Sequence, residues 1–286
     1  MSTSAATPER LTFLLRLLDD ETPAVRASIE RALQAYGGDI SELLSEMDVR
    51  LSDDDRELLA QLLRPARRER LRREWVVPAG GAAAVLDDWD HFESLLRVLS
   101  DYLHDGVSLR QPLGDALDLL ADELEEAAAD TGAEGVNESL FVSKRLTGNH
   151  EEEDHPLNFD LARVLSGHPS NPLGLGIIFL LMARRLDLEV EGINLPQSFL
   201  CRYYEDGQPT LVAPFGEGRE VTLDELAHRI RRYPREVRAM LARPATPGEL
   251  LVRMVEDLAT SWSSRGEMED AELMEELLAS LVKTPI

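Results

Sequence analysis

The sequence holds one cysteine, Cys201, in 286 residues, two lysines, Lys144 and Lys283, and only 5 % aromatic side chains. A lone cysteine excludes an intrachain disulfide and a thiolate-rich zinc site. The longest apolar run covers 173–183, short of the about 20 residues that a bilayer span needs. Residues 1–8 carry neither the basic nor the apolar stretch of a signal peptide, so the expected compartment is the cytoplasm. No Gly-x-x-x-x-Gly-Lys loop and no Gly-x-Ser-x-Gly elbow occurs. Nucleotide hydrolysis and an α/β-hydrolase nucleophile are therefore without support.

What is abundant is acid. Thirty basic residues stand against 54 acidic ones, a net charge of −24. Such a surface repels phosphate backbones and anionic lipid, so neither a nucleic acid nor a membrane is an expected partner. Of the 30 basic residues, 28 are arginine. Two explanations stay open: adaptation to a salty cytoplasm, where a carboxylate surface remains hydrated, and a GC-rich genome. Hydrophobic residues at 43 % and charged residues at 29 % are ordinary for a globular chain of about two domains.

Residues 8–75 read as helices. Leu11, Leu14, Leu15 and Leu18 recur at helical spacing, and residues 19–23 interrupt them. Val25, Ile29, Ala32, Leu33 and Tyr36 form a second stripe that Gly37 and Gly38 stop. With an acid-rich, proline-bearing turn before Val25, this stretch resembles a HEAT-type helical repeat. Six arginines fall within 64–73; the expectation is a solvated face paired with the chain's own carboxylates. Helices are expected again over 90–103 and 112–129. Residues 122–154, with eleven acids against two bases, read as a loop and domain seam.

Asn171 followed by Pro172 is a strong helix start, and the run to about 186 is apolar on nearly every face, the pattern of a buried central helix. Segments 190–195, 199–204 and 210–213 read as strands with Gly207 in a hairpin turn. Thr222 is expected to cap a helix to about 233, and 247–282 reads as two helices split at 263–266. The expected class is α+β, mostly helical, with a buried helix packed on a short antiparallel sheet and helical-repeat-like segments on either side. The expected domains are 1–80, 88–240 and 241–286.

Leu140-Phe141, Gly148-Asn149, Asn158, Asn171-Pro172-Leu173-Gly174-Leu175, Pro196-Gln197-Ser198-Phe199-Leu200 and Ala213-Pro214-Phe215, in that order, resemble the SirB-type transglutaminase-like family. The resemblance covers roughly 90–235, and the tail is similar to a tetratricopeptide-like helical pair. It implies a papain-like core with a nucleophile at the start of the buried helix, a histidine on one strand and an orienting carboxylate on the next. Carried onto this sequence, those positions are Gly174, Ser198 and Ala213. Glycine has nothing to attack with, serine is no base near neutral pH, and alanine orients nothing. The resemblance thus implies the fold together with a degenerate triad.

Two residues are substitutes to weigh. Cys201 lies three positions beyond Ser198, on the opposite face of its strand by alternation, and is expected to be buried packing. His168 precedes the buried helix and could reach a cleft mouth. The run from His150 to His155 has its histidines five apart and is followed by Pro156, unlike a zincin pair, so a solvated acidic loop and no metal are expected. Trp75, Trp89 and Trp262 lie in the helical flanks, as packing or as anchors for a partner. The reading that results is a non-catalytic transglutaminase-like module with a protein or peptide partner and no cofactor. A cysteine- or serine-type hydrolase or amide transferase with a rebuilt site is the alternative. A binder of small molecules or cations, using the vacated cleft, is a third.

Overall fold

The computed structural model describes residues 6–196, 198–232 and 235–282. The chain divides into two compact units, one of Met1–Val76 with Asp101–Gln111 and one of Val77–Ser100 with Pro112–Ile286.

The first unit is helical: α1 (Pro8–Leu15), α2 (Pro23–Leu33), α3 (Ser41–Glu46) and α4 (Asp53–Glu74). Thr7 and Ser52 cap α1 and α4 through their hydroxyls, and three aspartates in the first turn of α4 favour its dipole. The leucine stripes meet in one core with Ile29, Leu33, Leu59 and Leu63, each at most 2 % exposed. The arginine-rich face of α4 is mostly paired as expected, for example Arg70 with Glu74 and Asp101. Arg67 departs from that expectation because it is buried. It donates to the carbonyls of Asp105 at 2.6 Å and Ala60 at 3.1 Å, and burial pulls its pKa down to about 10.

The second unit contains most of α5 (Trp89–Leu103), then α6 (Leu113–Asn137), α7 (Leu161–Leu165) and the central α8 (Pro172–Arg185). Strands β1 (Val190–Leu195), β2 (Ser198–Glu205), β3 (Gln208–Ala213) and β4 (Arg219–Glu220) follow. They form an antiparallel sheet in the order β1-β2-β3-β4. Asp206 and Gly207, both at positive φ, make the two-residue turn between β2 and β3. Helices α9 (Leu223–Arg232), α10 (Glu236–Ala242), α11 (Pro247–Ser264) and α12 (Met268–Leu281) complete the unit. The α+β architecture agrees with expectation.

Three elements differ. Helix α6 runs to Asn137 with a kink at Gly132, and a π-helical turn continues over Glu138–Val142, where a loop was expected. Its acids face solvent while Leu117, Leu124, Val136, Leu140 and Phe141 are buried; acid density hid an amphipathic helix. The short β4 and α10 were not expected at all.

Twelve of the fourteen residues of α8, Pro172 to Ala183, are buried. Alternation along β2 turns Phe199 and Cys201 toward α8. The Phe199 ring lies over Gly176 and Gly192, at positions where any side chain would collide with it. The other face of the sheet carries Ile193, Leu195 and Leu200, with Ala213, Met240 and Leu241 against them.

Candidate functional site at the start of helix α8

Asn171 caps α8 by accepting from the Gly174 amide at 2.8 Å, with Pro172 at the first helical position. Around this start lies a buried polar network. The Ser170 amide donates to the Thr147 carbonyl at 3.0 Å, and its own carbonyl accepts from the Asn149 amide at 2.7 Å. Asn158, 1 % exposed, donates through Nδ2 to the carbonyls of Glu152 at 2.6 Å and Glu153 at 3.0 Å. Its Oδ1 accepts from Asn149 Nδ2 at 3.0 Å, and its carbonyl accepts from the Ser170 hydroxyl at 2.6 Å. Gly148-Asn149, Asn158 and Asn171 are therefore one scaffold, which fixes the acidic loop onto α8.

The three positions assigned to a triad by resemblance are distributed as follows. Gly174 is in the first turn of α8, and a Cβ there would collide with the Ser170 hydroxyl and stand 3.1 Å from the Asn158 carbonyl. Ser198 opens β2 opposite Leu195 and, half-buried, lends its carbonyl to Arg253 Nη1 at 3.0 Å. Ala213 ends β3 inside the apolar cluster with Leu195 and Leu200. Ser198 and Ala213 share one face of the sheet, and α8 packs against the other.

Neither substitute forms a reactive group with these positions. Cys201 is fully buried, its thiol directed at the Gly176 carbonyl, and burial pushes its pKa far above the usual thiol range. His168 is exposed and turns Nδ1 to the Arg163 carbonyl at 3.2 Å and to Ser166 Oγ at 3.3 Å. In the run 150–155, the His150 ring rests on Phe215 at 4.4 Å between centroids, and His155 Nδ1 accepts from the Leu157 amide at 3.1 Å. No group of three or more histidine, cysteine or acidic side chains suited to a metal ion occurs among the described residues. Trp75 is 7 % exposed, and Trp89 stacks edge-on with Phe92 beneath the Arg184 guanidinium.

Sequence reasoning missed a cavity of about 1190 Å³ in the second unit, bounded by 171–173 at the start of α8, 194–196 at the end of β1, and α11. Arg253 of α11 reaches across one wall. Its Nη1 donates to Asn194 Oδ1, to the Leu195 carbonyl at 3.3 Å and to the Ser198 carbonyl, which fastens the β1–β2 turn. Arg243 forms a two-point pair with Glu249 and holds that carboxyl below its usual range. Burial raises the carboxyl of Asp257, which faces Arg253 Nε at 3.5 Å. Five carboxylates and two guanidiniums line the cavity. No local pattern in the sequence marks it, since its walls come from segments up to about 180 residues apart.

Among known proteins, the profile of the transglutaminase-like superfamily matches residues 111–256. A UPF0162 protein of Xylella fastidiosa is 29 % identical over 153 residues, covering 51 % of this chain and 54 % of that protein. A UPF0162 protein of Pseudomonas aeruginosa is 31 % identical over 162 residues, 53 % of this chain and 59 % of the relative. F-box only protein 21 of Mus musculus is 24 % identical over 186 residues, 60 % of this chain and 28 % of its own length. The matched part of the chain thus spans little more than half of the bacterial relatives. No solved structure matches. No helix among the described residues is long and apolar enough to cross a membrane.

Proposed function

The chain belongs to the transglutaminase-like superfamily, and from that premise we propose that it acts as a non-catalytic, SirB-type member, a cytoplasmic module that binds a protein or peptide partner. The observation that carries this reading is at Gly174. The position that the resemblance assigns to the nucleophile has no side chain, and the Ser170 hydroxyl fills the space, tied to the Asn158 carbonyl. Attack on an amide carbon needs a nucleophile within hydrogen-bonding reach of a base. Ser198 and Ala213 provide neither that base nor its orienting acid. Catalytic units of this kind lose most of their rate when one member goes, so the absence of all three leaves only binding.

Two further observations favour a binding role. The cavity beside the start of α8 is large and partly apolar, and a polar network holds the acidic loop onto that helix start. In F-box only protein 21 the similar region takes up only 28 % of the protein, as expected of a portable module. The single buried cysteine and the acid-rich surface suit a reducing, cytoplasmic setting.

The test is turnover by the purified chain, using dansylcadaverine incorporation into casein and release of ammonia from glutamine-containing peptides. No rate above the no-protein control is expected. A rate that scales with protein through two further chromatographic steps would overturn the reading.

A further inference from the structure

We propose that the cavity bounded by the start of α8, the end of β1 and α11 receives an extended peptide that alternates apolar and basic side chains. This rests on the non-catalytic reading and specifies the partner it requires.

The first argument is a free strand edge. The Ala245 amide donates to the Gly192 carbonyl at 2.8 Å, so Gly192 turns its backbone groups away from β2. Two residues on, Asn194 must do the same, because hydrogen-bonded and outward-facing positions alternate along an antiparallel strand. Ala245 covers the edge at Gly192. At Asn194, a cavity residue, no backbone group outside the sheet pairs with the strand among the described residues. An added strand segment would find a donor and an acceptor there.

The second argument is the floor. Leu86, 61 % exposed, lies at the cavity with the partly buried Met240 and Val252. A strand sends alternate side chains to opposite sides, so every second residue of the guest can rest on this floor.

Charge supplies the third argument. Arg243 and Arg253 are already engaged by Glu249, Asp257 and Asn194. The carboxylates of Glu153 and Glu256 carry no side-chain partner among the described residues, and that of Asp154 has only the charge interaction with His155, which leaves the rim negative and open to cations. Size favours a peptide as well, since about 1190 Å³ exceeds the roughly 300–1,000 Å³ usual for small-molecule sites.

The experiment is fluorescence anisotropy on the full chain at near-physiological salt. The probe is a fluorescein-labelled octapeptide of alternating leucine and lysine, with Ser-Lys and Leu-Glu octapeptides as comparators. Leu-Lys should bind about tenfold tighter than Ser-Lys, with no binding of Leu-Glu. Leu86→Gln and Glu256→Arg, both at exposed positions, should each weaken Leu-Lys by about fivefold or more. Glu57→Arg on α4 should leave it unchanged. Absence of binding overturns the proposal. So does equal weakening by Glu57→Arg, or equal binding of Ser-Lys, because either means diffuse attraction to a chain of net charge −24. Turnover is not read in this assay. Catalysis would sink the non-catalytic reading and leave this result standing, and a failure here leaves that reading intact.

Discussion

The Ser170 hydroxyl occupies the space in which a side chain at Gly174 would begin, and it is held there by the Asn158 carbonyl at 2.6 Å. The two residues are four apart, Ser170 in the last step of the loop and Gly174 in the first turn of α8. A side chain therefore cannot be introduced at Gly174 by one substitution without displacing the Ser170 hydroxyl from its buried hydrogen bond.

Gly174→Cys should lower stability by about 1–3 kcal/mol from overpacking, since a gain of only about 0.3 kcal/mol in helix propensity offsets the strain. Adding Ser170→Gly should recover stability, with a favourable coupling of about 1–3 kcal/mol in a double-mutant cycle. Urea unfolding of the four proteins measures it. Additive effects would mean that the two side chains do not compete for the same space.

Cys201 should resist iodoacetamide in the native protein at pH 8 and react fully once unfolded. The thiol is completely buried, and burial favours its neutral form. Mass spectrometry of the labelled chain reads the outcome. Native labelling within minutes would contradict the burial and reopen thiol chemistry.

Asn158→Ala should cost about 2–3 kcal/mol, because two carbonyls and one amide lose a buried partner. Amide exchange should speed up first around 149–154. Asn158→Asp should be worse at pH 7 than at pH 4, since an ionised carboxylate would face the carbonyls of Glu152 and Glu153. A pH-independent cost would contradict this.

His104 should make the first unit lose stability in mild acid. It is 8 % exposed, its Nε2 donates to the Ser108 carbonyl at 2.8 Å, and burial with Arg110 nearby lowers its pKa. The folded state therefore resists a proton that the unfolded chain accepts near pH 6.5. Stability is complete above that value and falls as pH drops below it. Unfolding at pH 7.5 and 5.5 should show the loss, and His104→Gln should flatten it. An unchanged slope in the variant would assign the effect elsewhere.

The framework was readable because its signals are local. Asn171-Pro172 specified the start of α8 through cap chemistry, and its all-apolar run specified burial. The strands showed as short β-prone runs around an Asp-Gly turn. Where a local signal misled, a longer-range one overruled it. The acids of α6 suggested a loop, yet Val136, Leu140 and Phe141 had a core to join. The two-residue β4 has too little sequence to carry a pattern, and it exists because β3 offers it an edge.

At the candidate site the division is sharper. The sequence by itself determined that glycine, serine and alanine stand at 174, 198 and 213, the positions that the resemblance assigns to a triad, and side-chain identity sets what each can do. It also determined, through strand alternation, that Cys201 and Ser198 face opposite ways. Only the tertiary structure decided that Ser170 fills the space above Gly174. Only there does Arg253 fasten a turn more than 50 residues earlier in the chain, and only there do α8, β1 and α11 leave a cavity between them. Those relationships depend on the closure of distant segments, and no periodicity or cap in a linear chain records which distant segments will meet.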